Sequence, residues 1–459
     1  MLWKKGRLGE AADAFRRAVA LKPDYAEAHS GLGVILWKQR RLGEAVPVLR
    51  RACTLQPDSA YAHCNLGSAL LDARRFDEAI PVLRRAVRLK PSLPAAHFNL
   101  GYALKARGRF PEAAAAYRRA IALEPAWAQA HCNLGNALLR QGRTDEALAA
   151  YSRALGLKPD LVEGYPNLAL ALSRKGQIDE AVAALRKAIA LKPDWATPHY
   201  DLGNALVKQG RREEAAVAYR QAIALKPDYA EAYCNLGSLL RRRGEYAQAL
   251  TAFKRGHELG SQRKDWQSPS ARWVEECRHL VELDGRAQSV LQGKAQPGSA
   301  RERNEFAQLC YHKGHHAAAA RFWADAFTAY PGLAADLDAG HRYDAACAAA
   351  LAAAGQGADA SRLDDRERAR WRKQAVEWLR ADLALRARRL KAGAPEERGE
   401  MAWRLRYWQQ DSELASLRDP AAVARLPADE RAACNQLWAE VAVLLRQADA
   451  AQQPDHRPE

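Results

Sequence analysis

What this sequence has little of narrows the field first. Its eight cysteines include no CxxC pair, which argues against a disulfide framework and fits reduced thiols in a cytoplasmic protein. No apolar run approaches the roughly 20 residues needed to span a membrane. No nucleophile–base pair, metal-ligand spacing or α/β catalytic pattern can be picked out, so we expect no enzyme, no metal and no cofactor. The opening residues, MLWKKGRLGEAADAF, read as the tail of a helical hairpin and not as a signal peptide. Acidic residues are the minority: Lys and Arg number 71 against 54 Asp and Glu, a net charge of +17. Residues 1–260 hold 41 of those cations and 25 of the acids, whereas 261–459 are nearly balanced. The excess on the first part predicts an acidic partner there.

What is present is repetition. The stretch 128–161, AQAHCNLGNALLRQGRTDEALAAYSRALGLKPDL, recurs every 34 residues up to Gly260. A fixed period of this size means stacked repeats. Ala128, His131, Leu134, Gly135 and Leu138 fall at helical steps and form one buried stripe. Gly142 can take the left-handed conformation that closes a helix, and Thr144 and Asp145 are expected to cap the next one. That second helix buries Ala147, Tyr151, Ala154 and Leu157, and Pro159 stops it.

The pattern resembles the tetratricopeptide repeat (TPR). Leu-Gly recurs at Leu32-Gly33, Leu66-Gly67, Leu100-Gly101, Leu134-Gly135, Leu202-Gly203 and Leu236-Gly237, with Leu168-Ala169 in the sixth copy. The closing proline recurs at Pro23, Pro57, Pro91, Pro125, Pro159, Pro193 and Pro227, and Arg40 and Arg74 replace the turn glycine. The resemblance implies an all-α chain: a right-handed α-solenoid of TPR hairpins, followed by a helical C-terminal region with degenerate repeats.

Five segments are expected. Residues 1–260 form the array, with a truncated first repeat and about seven full ones. The missing leading half-hairpin points to a longer chain upstream or a frayed end, and its open face is a candidate self-association edge. Residues 261–300 give a linker and a helix from about Arg272 to Leu291. Residues 301–393 hold degenerate hairpins in which Gly314, Ala319, Trp323, Ala326 and Pro331 keep the repeat offsets. Residues 394–449 make a helical domain with Trp371, Trp378, Trp403, Trp408 and Trp438 clustered in its core. Residues 450–459 are expected to be disordered. The last third, with WLRADLALRARRL and LRDPAAVARLPADERAACNQLWAEVAVLL, resembles the non-catalytic tail of large bacterial TPR-containing serine/threonine kinases. No HRD, DFG or glycine-rich phosphate loop accompanies it.

The first helices are expected to line the inside of the superhelix. There Asn65, Asn99, Asn133, Asn167, Asp201 and Asn235 share one position. An amide both donates and accepts, so this row could hold a peptide backbone; it resembles the asparagine ladder of O-linked GlcNAc transferase. About one turn further on lie Lys38, Lys105, Arg140, Arg174, Lys208, Arg241 and Arg242, suited to carboxylates or phosphates. Phe98, Tyr102 and Tyr200 are candidate apolar anchors. Cys64, Cys132 and Cys234 fall on the same inner stripe. His29, His63, His97, His131 and His199 recur one repeat apart, too far apart to share a metal, and are expected to pack in the core. The function implied is a scaffold for an extended acidic or C-terminal peptide. The alternative is the regulatory arm of an upstream kinase or glycosyltransferase. Nucleic acid is disfavoured, because no regular base-stacking aromatic platform is present.

Overall fold

A computed structural model describes residues 8–392 and 395–450, which are helical and turn-linked with no strand among them. Residues 1–7 of the truncated first repeat lie outside the described residues, as does the expected disordered tail apart from Ala450, which ends the last helix. None of the described helices is long and apolar enough to cross a membrane. The chain divides into two compact units, residues 1–227 and 228–459.

The N-terminal unit is a stack of hairpins: α1 (Leu8–Leu21), α2 (Ala26–Lys38) with α3 (Leu42–Leu55), α4 (Ala60–Asp72) with α5 (Phe76–Leu89), and α6 (Pro94–Ala106) with α7 (Phe110–Leu123). There follow α8 (Ala128–Arg140) with α9 (Thr144–Leu157), α10 (Gly164–Arg174) with α11 (Ile178–Leu191), and α12 (Ala196–Lys208) with α13 (Arg212–Leu225). From α2 to α11, each helix packs on its hairpin partner and on the next hairpin. Consecutive first helices also touch one another, while consecutive second helices make no comparable contact. The first helices therefore lie on the inner side of the curve in this unit.

Sequence explains the hairpin closely. Gly142 has φ +78°; its amide reaches the Leu139 carbonyl at 3.2 Å and the Arg143 amide reaches that of Leu138 at 3.0 Å. Such an αL closure satisfies carbonyls that the helix end leaves over. Arg40 and Arg74 take the same turn at φ 60° and 56°, at a cost of about 1 kcal/mol each. Helix contact then depends on glycine: a Cβ on Gly135 would lie 2.6 Å from the Tyr151 ring, and one on Gly203 2.4 Å from that of Tyr219. The predicted caps are absent. Arg143 precedes α9 with no side-chain cap bond, and Asp145 instead pairs with Lys175 at 2.6 Å.

The recurrent histidines have a definite task. Nε2 lies 2.9 Å from the closing proline carbonyl in His29–Pro23, His63–Pro57 and His97–Pro91, and 3.0 Å in His131–Pro125 and His199–Pro193. A carbonyl only accepts, so Nε2 carries the proton. In the sixth repeat the Tyr165 hydroxyl donates to the Pro159 carbonyl instead, at 2.8 Å. Only His29 and His97 are fully buried; the others are half-buried ties between repeats.

The C-terminal unit opens with one more hairpin of the same pattern, α14 (Ala230–Arg242) and α15 (Tyr246–Ser261), then α16 (Ser270–Leu291). The degenerate hairpin is α17 (Ala300–His312) with α18 (His316–Ala329), turned at Gly314 with φ +75° and centred on buried Trp323. Short α19 (Gly332–Ala335) leads to α20 (His341–Ala353), whose alanines are buried on nearly every side, and to long α21 (Asp365–Ala392). Then come α22 (Pro395–Gln410), the single turns α23 (Ala415–Arg418) and α24 (Pro420–Val423), and α25 (Ala428–Ala450). Trp371, Trp378 and Trp408 are buried in this core, with Trp438 packed against it. Trp403 does not join them: it is 62% exposed and stacks on Tyr407 at the surface.

Candidate functional site

The inner face of the N-terminal unit is built from the exposed sides of α2, α4, α6, α8, α10 and α12. Its asparagines do not form an open row. Asn99 Nδ2 donates to Ser68 Oγ at 2.8 Å in the preceding repeat. Asn133 is only 5% exposed; its Nδ2 donates to the Gln129 carbonyl at 3.0 Å and its Oδ1 accepts from Lys105 Nζ at 2.9 Å. Asn167 Nδ2 donates to the Glu163 carbonyl at 2.9 Å. Asn65 is half-buried on α4, and Asn235 is half-buried on α14 of the other unit. Much of the amide capacity therefore joins neighbouring first helices or their own backbone.

The cation row is likewise divided. Lys105 is drawn inward, over the Tyr102 ring at 4.9 Å, and burial lowers its pKa. Arg140 is exposed and lies over the Phe110 ring at 5.4 Å. Arg174 is exposed and gives one N–H to the Leu139 carbonyl at 3.0 Å. Lys208 is exposed. In the C-terminal unit Arg241 pairs with Glu276 at 3.0 Å. Phe98 stacks on Trp127 at 4.4 Å and Tyr200 packs against Tyr219, leaving Tyr102, 40% exposed, as the open aromatic among the three expected anchors. Cys64, Cys132 and Cys234 are buried. Cys64 and Cys132 lie 3.9 Å from the amides of Asn99 and Asn167, so they sit in the seams between first helices and not on the open face.

One feature escaped sequence reasoning. A cavity of about 440 Å³ opens between α10 and α12, lined by Asn167, Leu170, Ser173, Trp195, Asp201 and Asn204 among others. Asn204 Oδ1 is held by the buried Tyr219 hydroxyl at 2.8 Å. Asp201 makes no hydrogen bond or ion pair among the described residues, and burial pushes its pKa up to about 6. The signal that could have found it is the loss of bulk and gain of charge at two aligned positions, Ser173 and Asp201.

The C-terminal unit holds a second cluster. Sequence spacing gave no ligand grouping, yet the fold brings Cys347, Asp411 and Glu413 together, with candidate ligand atoms within 4.8 Å of one another. Tyr343 donates to Asp411 at 2.6 Å and Tyr311 donates to Glu413. Burial and the neighbouring acids raise the pKa of Asp344 to about 7 and that of Glu413 above its usual range. Burial also holds the Cys347 thiol well above its usual range. Asp344, Glu413 and Cys347 thus hold their protons more tightly than usual.

Stacked hairpins with an inner face of this kind define a helical-repeat interaction scaffold. Models described as TPR repeat match residues 171–210 and 203–242. Models described as tetratricopeptide repeat match 2–60, 64–123, 98–162 and 230–259. Together they cover more than half the chain, which belongs to the tetratricopeptide-repeat family. Among solved structures it is similar to YrrB, a TPR protein with an unusual peptide-binding site: 21% identity over 40% of this chain and 95% of that one, TM-score 0.36. Similarity to the APC/C heterotetramer Cut9–Hcn1 is 15% identity over 60% and 54% of the chains, TM-score 0.45. For Pseudomonas aeruginosa pilF it is 20% over 48% and 96%, TM-score 0.42. Comparison with curated proteins gives no match.

Proposed function

We propose that the N-terminal unit binds an extended acidic or C-terminal peptide along its first-helix face, acting in the cytoplasm. The observation that carries this reading is the open cavity between α10 and α12, which combines amides with the apolar surface of Leu170 and Trp195. An extended chain needs both: polar groups for its backbone and pockets for alternate side chains. Arg140, Arg174 and Lys208 stand exposed near the ends of α8, α10 and α12, one per repeat, which favours carboxylates along the same track. Lys105 and Asn133 are committed to each other and belong to the scaffold.

The test is selection from a displayed random dodecapeptide library on the full chain, followed by affinity measurement at low and high salt. The account expects binding that weakens with salt and drops about tenfold in Arg140→Glu/Lys208→Glu. Failure to select any peptide, or an affinity indifferent to both changes, would contradict it. The other reading, a regulatory arm of an upstream serine/threonine kinase or glycosyltransferase, draws support only from the C-terminal sequence resemblance. The reading frame preceding Met1 decides it.

A further inference from the structure

The seams between first helices of the N-terminal unit follow one rule with one exception. In each repeat, one residue near the end of the first helix lies 28 positions before the shared asparagine position of the next repeat. Those residues are Trp37, Leu71, Lys105, Leu139 and Ser173, one repeat apart. Leu71 and Leu139 are buried, and Trp37 packs against the apolar core. Lys105 fills its seam with an alkyl chain and delivers its ammonium to Asn133, 28 residues on, at 2.9 Å. The same step from Ser173 leads to Asp201. Here the filling residue has shrunk to a hydroxymethyl, and the amide facing it has become a carboxyl. The helix before it is also shorter: α10 has 11 residues where α12 has 13. The result is the cavity of about 440 Å³, with an unpaired, half-buried carboxyl in its lining.

The geometry points to a specific occupant: the side chain of a lysine or arginine in the docked peptide, inserted between α10 and α12 to place its cation on Asp201. This rests on the groove reading above and names one of its specificity pockets. The protein supplies its own template, because Lys105 already threads the equivalent gap two repeats earlier. Leu170, Leu185 and Trp195 offer apolar wall for the alkyl stem, and Asn204, held by Tyr219, lines the same cavity. The other charged groups on the lining are Glu163 and Lys208, both exposed and neither paired with Asp201. With Asp201 ionised, the pocket carries an excess of one negative charge, whereas the exposed cations lie towards the helix ends. An acidic peptide with one basic anchor satisfies both.

Because burial raises the Asp201 pKa to about 6, the pocket is charged at neutral pH and discharged as pH falls towards 5. A cation in it would therefore be held more tightly at pH 7.5 than at pH 5.

The experiment uses the full chain and the peptides selected from the dodecapeptide library. Wild type should enrich sequences with lysine or arginine at one aligned position, and norleucine there should weaken binding about tenfold. Asp201→Asn should erase the difference between the lysine and norleucine peptides while still binding both. Ser173→Lys should do the same by filling the pocket from within. The lysine preference of wild type should shrink at pH 5. Peptides that bind without a basic position, or a lysine preference that survives Asp201→Asn, overturn the pocket and leave the groove standing. Failure to enrich any peptide overturns both. If Asp201→Asn fails to fold, Ser173→Lys alone decides: an unchanged lysine preference in it is contrary.

Discussion

Tyr117, Tyr151 and Tyr219 occupy one position in three repeats, and all are buried against the glycine of the first helix. They differ in what their hydroxyls meet. Tyr151 donates to Asn136 at 2.7 Å and Tyr219 to Asn204 at 2.8 Å. Tyr117 Oη is buried with no partner among the described residues, because Tyr102 stands where the other repeats have asparagine. Removing a made bond costs about 1 kcal/mol, whereas removing an unmade one relieves a desolvation cost. Chemical unfolding should thus find Tyr151→Phe and Tyr219→Phe destabilised and Tyr117→Phe neutral or more stable; a loss in the last equal to the others would refute the assignment. At this scale the sequence was partly legible. Gly142 and Pro159 announced their backbone roles, since few residues can fill them. The His–proline carbonyl tie was hidden, because period and polarity say nothing about a partner six residues back.

Helix boundaries in the repeats followed from periodicity, and the degenerate hairpin α17–α18 followed from its retained glycine and tryptophan. Two things did not. The Arg–Glu forks at the start of the second helices were invisible as a system: Glu112 accepts from Arg109 at 2.7 Å and from Arg84 at 3.0 Å, and Glu146 accepts similarly from Arg143 and Arg118. Each such fork sets two arginines on one carboxylate, in exposed pairs individually worth little. The acid cluster beside α20 was also unreadable, since Asp344 and Asp411 are far apart in sequence. Its consequence is pH-dependent. Asp344 and Glu413 have raised pKa values in the folded unit, so the native state holds protons that the unfolded chain releases. The stability they contribute is complete below about pH 4 and is lost as pH rises through about 7 for Asp344. The melting temperature of the C-terminal unit should fall across that range, and Asp344→Asn should flatten the fall and raise stability at pH 8. A profile identical to wild type would show that Asp344 is not the titrating group.

Over the whole chain, composition and period were sufficient for an all-α solenoid, because a repeat can bury its face only against another repeat. They were insufficient for the binding surface. An asparagine row reads the same whether its amides face a ligand or a neighbouring helix, and here several face the neighbour. The seam between α10 and α12 differs from its neighbours in holding a cavity lined by Ser173 and Asp201. The proposal that the first-helix side of residues 1–227 receives a peptide is tested most directly by hydrogen–deuterium exchange of the full chain with and without a selected peptide. The account predicts slowed exchange at the exposed last turns of α8, α10 and α12, with α9, α11 and α13 unchanged. Protection confined to those second helices, or to residues 228–459, would contradict it.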